Sequence, residues 1–159
     1  MLKQKIRNDL TKATKGGDEV VISTLRMLLA VVLNREKERK YKERIEGEVE
    51  LTDEEMFEII SSEIKKRKEA IFGYKQGKRA DLVKKEEAEM SILQQYLPEQ
   101  LSEEEIRKLA QRTIKKVGAK EMRDMGKVMA EIMSEVKGRA DGGLVSKIVK
   151  ELLTPKEQD

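Results

Sequence analysis

An all-α fold follows from three features of the sequence. Apolar residues recur at three- and four-residue spacing along nearly the whole chain, and proline occurs only at Pro98 and Pro155. Thr52-Asp-Glu-Glu55 and Ser102-Glu-Glu-Glu105 are capping boxes, in which an N-cap hydroxyl and a glutamate three residues on satisfy each other's backbone N–H groups. Together these predict an N-terminal bundle of about four helices over residues 1–97 and a small three-helix domain over residues 98–159.

Leu2, Ile6 and Leu10 share one face of a first helix that Gly16-Gly17 ends, and Asp18 is placed to cap the next. That second helix, about Asp18–Lys40, carries Val20, Val21, Ile22, Leu25, Leu28, Leu29, Val32 and Leu33. Its first half is apolar around most of its circumference and is expected at the centre of the bundle. Arg26 interrupts the stretch. An isolated buried charge is costly, so Arg26 is expected to pair with an acid of the third or fourth helix, Glu63 or Glu87.

Residues Tyr41–Glu50 are charged and form a connection. The first capping box opens a third helix through Met56, Ile59, Ile60, Ile64, Ile71 and Phe72, which Gly73 and Gly77 weaken at its end. A fourth, about Ala80–Tyr96, holds Leu82, Met90 and Leu93. Leu97-Pro98 stops it, because proline disfavours α geometry in the preceding residue, and the domain boundary is set there. The second box opens a helix with Ile106, Leu109, Ala110, Ile114 and Val117 on one face. Val128, Met129, Ile132, Met133 and Val136 stripe the next; Leu144, Val145, Ile148, Val149 and Leu152 stripe the last, with Asp141 as its N-cap. The chain after Leu153 is expected to fray.

Composition narrows the chemistry. The 159 residues include no Cys and no His, which removes thiol nucleophiles, disulfides, imidazole bases and nearly all structural zinc sites. With no Trp, two Phe and three Tyr, little aromatic surface remains for a flat ligand, and no catalytic residue, cofactor or metal is expected. The longest apolar run, Met27–Leu33, has seven residues, against the roughly 20 that span a bilayer. The start lacks an apolar leader, so a cytoplasmic location and no membrane contact are expected.

Several motifs have plain structural explanations. Ser62-Glu-Ile-Lys65 and Ser134-Glu-Val-Lys137 fit S-x-x-K, but the companion motifs of Ser-Lys acyl enzymes are missing. Gly73-Tyr-Lys-Gln-Gly77 has three residues between glycines where a phosphate loop needs four, and reads as a helix end. Met122, Met125, Met129 and Met133 lie at helical spacing and are expected to fill the small core, although flexible thioethers also make adaptable binding faces.

The basic residues carry more information. Between Lys65 and Lys85, nine cations stand against Glu69 and Asp81, a local excess of +7 and a positive patch on the N-terminal domain. In the last domain Lys115, Lys116, Lys120, Arg123 and Lys127 bracket the start of one helix near Gly126, and Lys137-Gly138-Arg139 leads into another. Helix N-termini flanked by cations and glycine can offer backbone N–H groups to phosphates; capping and solvated lysines explain the same residues without a ligand.

Taken together, several segments resemble the YqeY-like proteins over essentially the whole chain. They are Ser23-Thr-Leu-Arg-Met-Leu-Leu29, Leu51-Thr-Asp-Glu-Glu55, Glu63-Ile-Lys-Lys-Arg67, Glu86-Glu-Ala-Glu89, Tyr96-Leu-Pro-Glu-Gln-Leu101, Asp124-Met-Gly-Lys-Val-Met129 and Lys137-Gly-Arg-Ala-Asp-Gly142. Residues Met125–Leu153 are also similar to the tail of the B subunit of glutamyl/aspartyl-tRNA amidotransferase, although Gly142 stands where that tail commonly has Pro. The resemblance implies two α-helical domains and a role near tRNA or the amidotransferase machinery. Glutamine-dependent carbon–nitrogen ligase activity comes with it only as an association, since the catalytic cradle of that enzyme is a domain this chain lacks. Two readings of different class stand at this point. One is a noncatalytic tRNA-binding or amidotransferase-associated accessory protein, with Lys127, Lys137 and Arg139 at phosphates near Gly126 and Gly138. The other is a protein-interaction adaptor with no RNA ligand.

Overall fold

The computed structural model describes residues 1–155, which form seven α-helices and one 3-10 turn, with no strand among the described residues. The chain divides into two compact units, Met1–Leu97 and Pro98–Asp159.

Unit 1 holds α1 (Leu2–Gly16), α2 (Glu19–Glu43), α3 (Asp53–Gln76) and α4 (Ala80–Gln94). Gly17 closes α1 at φ 74°, a left-handed step that costs glycine little. Asp18 then accepts a hydrogen bond from the Val21 N–H at 3.2 Å and starts α2. At the head of α3 the box is complete: the Glu55 N–H donates to Thr52 Oγ1, and the Thr52 N–H donates to the Glu55 carboxylate at 2.8 Å. α3 ends at Gln76 with Gly77 as its C-cap, in line with the helix-end reading of these glycines; Gly77 has φ −78° and the left-handed step falls on Lys78 at φ 55°. Ile6, Leu25, Leu28, Val32, Met56, Ile60 and Leu93 form the core.

α2 is not the enclosed centre that its composition suggests. Ile22, Leu25, Leu28 and Val32 are buried, whereas Val20, Met27 and Leu33 are 44%, 53% and 48% exposed. Its partners cover one side only, and residues on the far side face water whatever their polarity. Arg26 lies on that outer side and makes no ion pair among the described residues, so the expected partnership with Glu63 or Glu87 does not form. The buried arginine is Arg67, one turn after Glu63 on α3, and its partner across the helix pair is Glu89 rather than Glu87. Two positions along a helix turn a side chain by about 200°, which takes Glu87 out to solvent and brings Glu89 in.

Unit 2 holds α5 (Glu103–Val117), a 3-10 turn (Met122–Asp124), α6 (Met125–Val136) and α7 (Gly142–Leu153). The three helices pack pairwise around Ile106, Ala110, Val128, Ile132, Val145 and Ile148. The methionines divide: Met125 and Met129 pack against this core, while Met122 and Met133 are 40% and 36% exposed. Of the stretch expected to fray, Thr154 is held by its N–H and hydroxyl on the Lys150 carbonyl at 3.0 and 2.6 Å, and residues 156–159 lie outside the described residues.

Each capping box supplies one checkable magnitude. Thr52→Ala and Ser102→Ala are each expected to lower stability by about 1 kcal/mol, read as a shift in the urea unfolding midpoint of the full chain. An unchanged midpoint for both would show that the boxes are decoration.

Candidate nucleic-acid interface

The cations singled out in unit 2 are exposed, but the structure does not leave them equivalent. Lys116, near the end of α5, is paired with Glu131 of α6. Arg123 Nη2 lies 2.7 Å from Glu121, and Arg139 Nε donates to the Glu99 carbonyl at 3.2 Å. Lys115, Lys120 and Lys127 make no side-chain ion pair within 4 Å among the described residues. Lys115 lies in the last turn of α5, Lys120 in the connection and Lys127 in the first turn of α6. Gly118 turns the chain at φ 69° after α5, and Gly126, also exposed, lies in the first turn of α6 beside Lys127.

The two helix starts also differ. Asp141 Oδ1 accepts from the Gly143 and Leu144 N–H groups at 2.6 and 3.2 Å, so α7 opens on its own carboxylate, which a phosphate would have to displace. α6 has no side-chain cap of its own, but it continues directly from the 3-10 turn, which opens on a capping box of Glu121 and Asp124, and the Met125 N–H donates to the Met122 carbonyl. The Asp124 carboxylate beside it turns backward instead, accepting from the Lys120 and Glu121 N–H groups at 2.9 and 3.3 Å. Those two bonds, with the charges of Lys127 and Arg123 nearby, hold Asp124 below the ordinary carboxylate range. The sequence pattern treats the two starts alike, and hydrogen bonding separates them.

The loop before α7 is pinned rather than open. The Leu101 N–H donates to the Arg139 carbonyl at 2.8 Å, and Gln100 Nε2 donates to the Gly138 carbonyl at 2.8 Å. Lys137 and Gly138 take φ 23° and 78°, two successive left-handed steps that end α6. Lys120, Gly126 and Lys127 therefore lie at the entry to α6 and Lys115 in the last turn of α5, while Lys137, Gly138 and Arg139 lie on a separate, tied-down turn.

Unit 1 also contains two buried charge networks. Lys3 Nζ sits 2.6 and 2.8 Å from the two oxygens of Glu36, whose Oε1 also accepts the Leu51 N–H at 3.3 Å. Arg67 Nη1 donates to Glu63 at 3.1 Å and Arg67 Nε to Glu89 at 3.2 Å. The Tyr96 hydroxyl donates to Asp9 at 2.9 Å in a half-buried contact, and burial, then the Asp9 bond, raise the phenol above its ordinary range. The i, i+4 spacing of Glu63 and Arg67 is a visible signal. Nothing in the sequence marks Lys3 and Glu36, 33 residues apart, as a pair.

An all-helical protein of two bundles, with exposed lysines at the α5–α6 junction, is the class that fold and site define. Among the described residues no cluster of carboxylates could hold a metal ion, and no helix is long and apolar enough to cross a membrane. Residues 3–153 match the model of the Yqey-like protein family, and the chain belongs to that family. It is 31% identical over 96% of its length to altered inheritance of mitochondria protein 41, mitochondrial, of Pyrenophora tritici-repentis, spanning 81% of that relative. An uncharacterised protein of Schizosaccharomyces pombe is 33% identical over 64% of the chain and 76% of its own length. Altered inheritance of mitochondria protein 41 of Saccharomyces cerevisiae strain YJM789 is 29% identical over 82% of the chain and 68% of its own length.

These names overturn the cytoplasmic expectation, since relatives that carry a location are mitochondrial. That expectation rested on a missing apolar leader and on short apolar runs. Neither feature distinguishes cytosol from mitochondrion, whose targeting segments are amphipathic and basic rather than apolar.

Proposed function

We propose that the chain is a noncatalytic accessory protein that contacts tRNA through the α5–α6 connection, alongside the machinery of tRNA amidation. The observation that carries this is that Lys115 at the end of α5, Lys120 in the connection and Lys127 in the first turn of α6 are all exposed and make no ion pair among the described residues. Ammonium groups suit phosphate oxygens, and RNA helices are read largely by shape and backbone, so few aromatic residues are needed. The resemblance of Met125–Leu153 to the amidotransferase tail supports tRNA as the ligand class. Lys137 and Arg139 serve as outlying contacts. The mitochondrial names of the fungal relatives support the same setting for this chain.

Lys115, Lys120 and Lys127 changed together to Gln should lower affinity for labelled tRNA and flatten its dependence on salt. Three lost phosphate contacts reduce the log–log slope by about 2. A slope equal to that of the unaltered chain would remove this surface from consideration.

A protein-interaction adaptor is the second reading, favoured by the exposure of Met122 and Met133. Capture of a defined partner that survives RNase and is lost in a folded Met133→Glu variant would replace the first reading with this one.

A further inference from the structure

We propose a second nucleic-acid contact, on unit 1: a stripe of α3 formed by Lys65, Lys68, Phe72 and Lys75 that holds a single-stranded RNA segment, with an unpaired base stacked on the Phe72 ring. It takes its ligand class from the function proposed above, but it lies in the other unit and uses none of the same residues.

All four side chains are exposed, Phe72 by 67%. Their positions advance by three, four and three residues, which places them along one line of the helix surface. The charges on that line have one sign. Glu69, four residues after Lys65 and three before Phe72, borders the line about 40° from Lys65 and is the one acid beside it on α3. The neighbouring cations Lys66 and Arg67 are taken up by Glu63 and Glu89, whereas Lys65, Lys68 and Lys75 make no ion pair among the described residues. Lys78 in the turn and Lys84 and Lys85 on α4 are exposed as well.

Phenylalanine is among the residues most often buried, and a two-thirds exposed ring between lysines has no packing role to explain it. A cationic track with an aromatic platform is the combination that binds single strands, because phosphates meet the charges and any base offers a π-face to the ring. An acidic peptide would use the lysines and leave the ring idle. A bilayer interface needs a broad apolar face, and this stripe has one ring.

The test uses the full chain with a labelled 15-nucleotide oligouridine, an RNA duplex of equal length, and vesicles of phosphatidylglycerol. Phe72→Ala should weaken oligouridine binding about tenfold and leave the duplex almost unchanged, while Phe72→Trp should retain single-strand affinity. Lys68→Gln with Lys75→Gln should lower the oligouridine salt slope by about 1.4. Melting temperatures of these surface variants should match the parent and so report an intact fold. Wild-type oligouridine affinity in Phe72→Ala, absence of binding at about 50 mM salt, or Phe72-dependent binding to vesicles but not to RNA would each overturn the proposal. The Gln variant at Lys115, Lys120 and Lys127 separates the two sites. If it loses tRNA but keeps oligouridine, the stripe acts by itself; if tRNA is never bound while oligouridine still depends on Phe72, only the unit 2 assignment fails.

Discussion

Replacing Arg67 with Ala should destabilise unit 1 by about 3–5 kcal/mol, the range observed when one partner of a buried ion pair is removed. Arg67 is 5% exposed and lies between Glu63 and Glu89, themselves 8% and 6% exposed. It ties α3 to α4, and its Nη1 also donates to the Glu63 carbonyl at 3.1 Å. Without the guanidinium, two carboxylates remain buried, with Lys66 at 2.7 Å from Glu63 as the cation left nearby. Replacing all three residues with apolar ones of similar volume should cost far less, because the penalty arises from stranded charge rather than from the lost bonds.

The same network makes an acid prediction. Burial pushes the Glu63 carboxyl up, but hydrogen bonds from Lys66 and Arg67, with their charges, outweigh it and hold it below its ordinary value of 4.5. A carboxyl depressed in the folded state stabilises fully above its unfolded pKa and loses that contribution as pH falls through the folded one. Unit 1 should therefore weaken as pH drops below about 4.5, and Arg67→Ala should flatten that part of the profile. Urea unfolding followed by circular dichroism at neutral pH and at about pH 3.5 checks both points. A cost under about 1 kcal/mol for Arg67→Ala would mean that the carboxylates reach water.

Lys3→Ala should cost about 3 kcal/mol and Glu36→Ala about 2 kcal/mol. The order follows from side-chain length. If Glu36 is removed, the long lysine stem can carry its ammonium to water, whereas a short carboxylate left without Lys3 stays buried against the Leu51 N–H. The pair joins α1, α2 and the entry to α3, so both variants should loosen the α1 end of the bundle. Faster hydrogen exchange at the amides of Ile6 and Leu10 reports this, and equal costs for the two variants would contradict the length argument.

The fold was legible because its signals are local. Gly16-Gly17-Asp18 carries a C-cap and an N-cap in three residues, and both capping boxes close as their spacing requires. Burial along α2 was not legible. Val20, Met27 and Leu33 differ from Ile22 and Leu25 only in which side the neighbouring helices cover, and that is a tertiary fact. Arg26 illustrates the same limit: an arginine inside an apolar run points to a buried pair, yet the buried pair formed at Arg67, where the local sequence is densely charged. In unit 2 the cation positions were readable, but their state was not. Composition cannot tell that Asp141 caps α7 while Asp124 turns away from α6, or that Lys116 and Arg123 are taken up by Glu131 and Glu121.

Contact with tRNA phosphates through unit 2 is tested most directly by fluorescence anisotropy of labelled tRNA with the full chain at about 50 and 200 mM salt. Three lysine–phosphate contacts predict an affinity that falls about twentyfold or more across that range. No binding at the lower salt, or an affinity indifferent to salt, would contradict it and leave the resemblance to the amidotransferase tail as a likeness of fold alone.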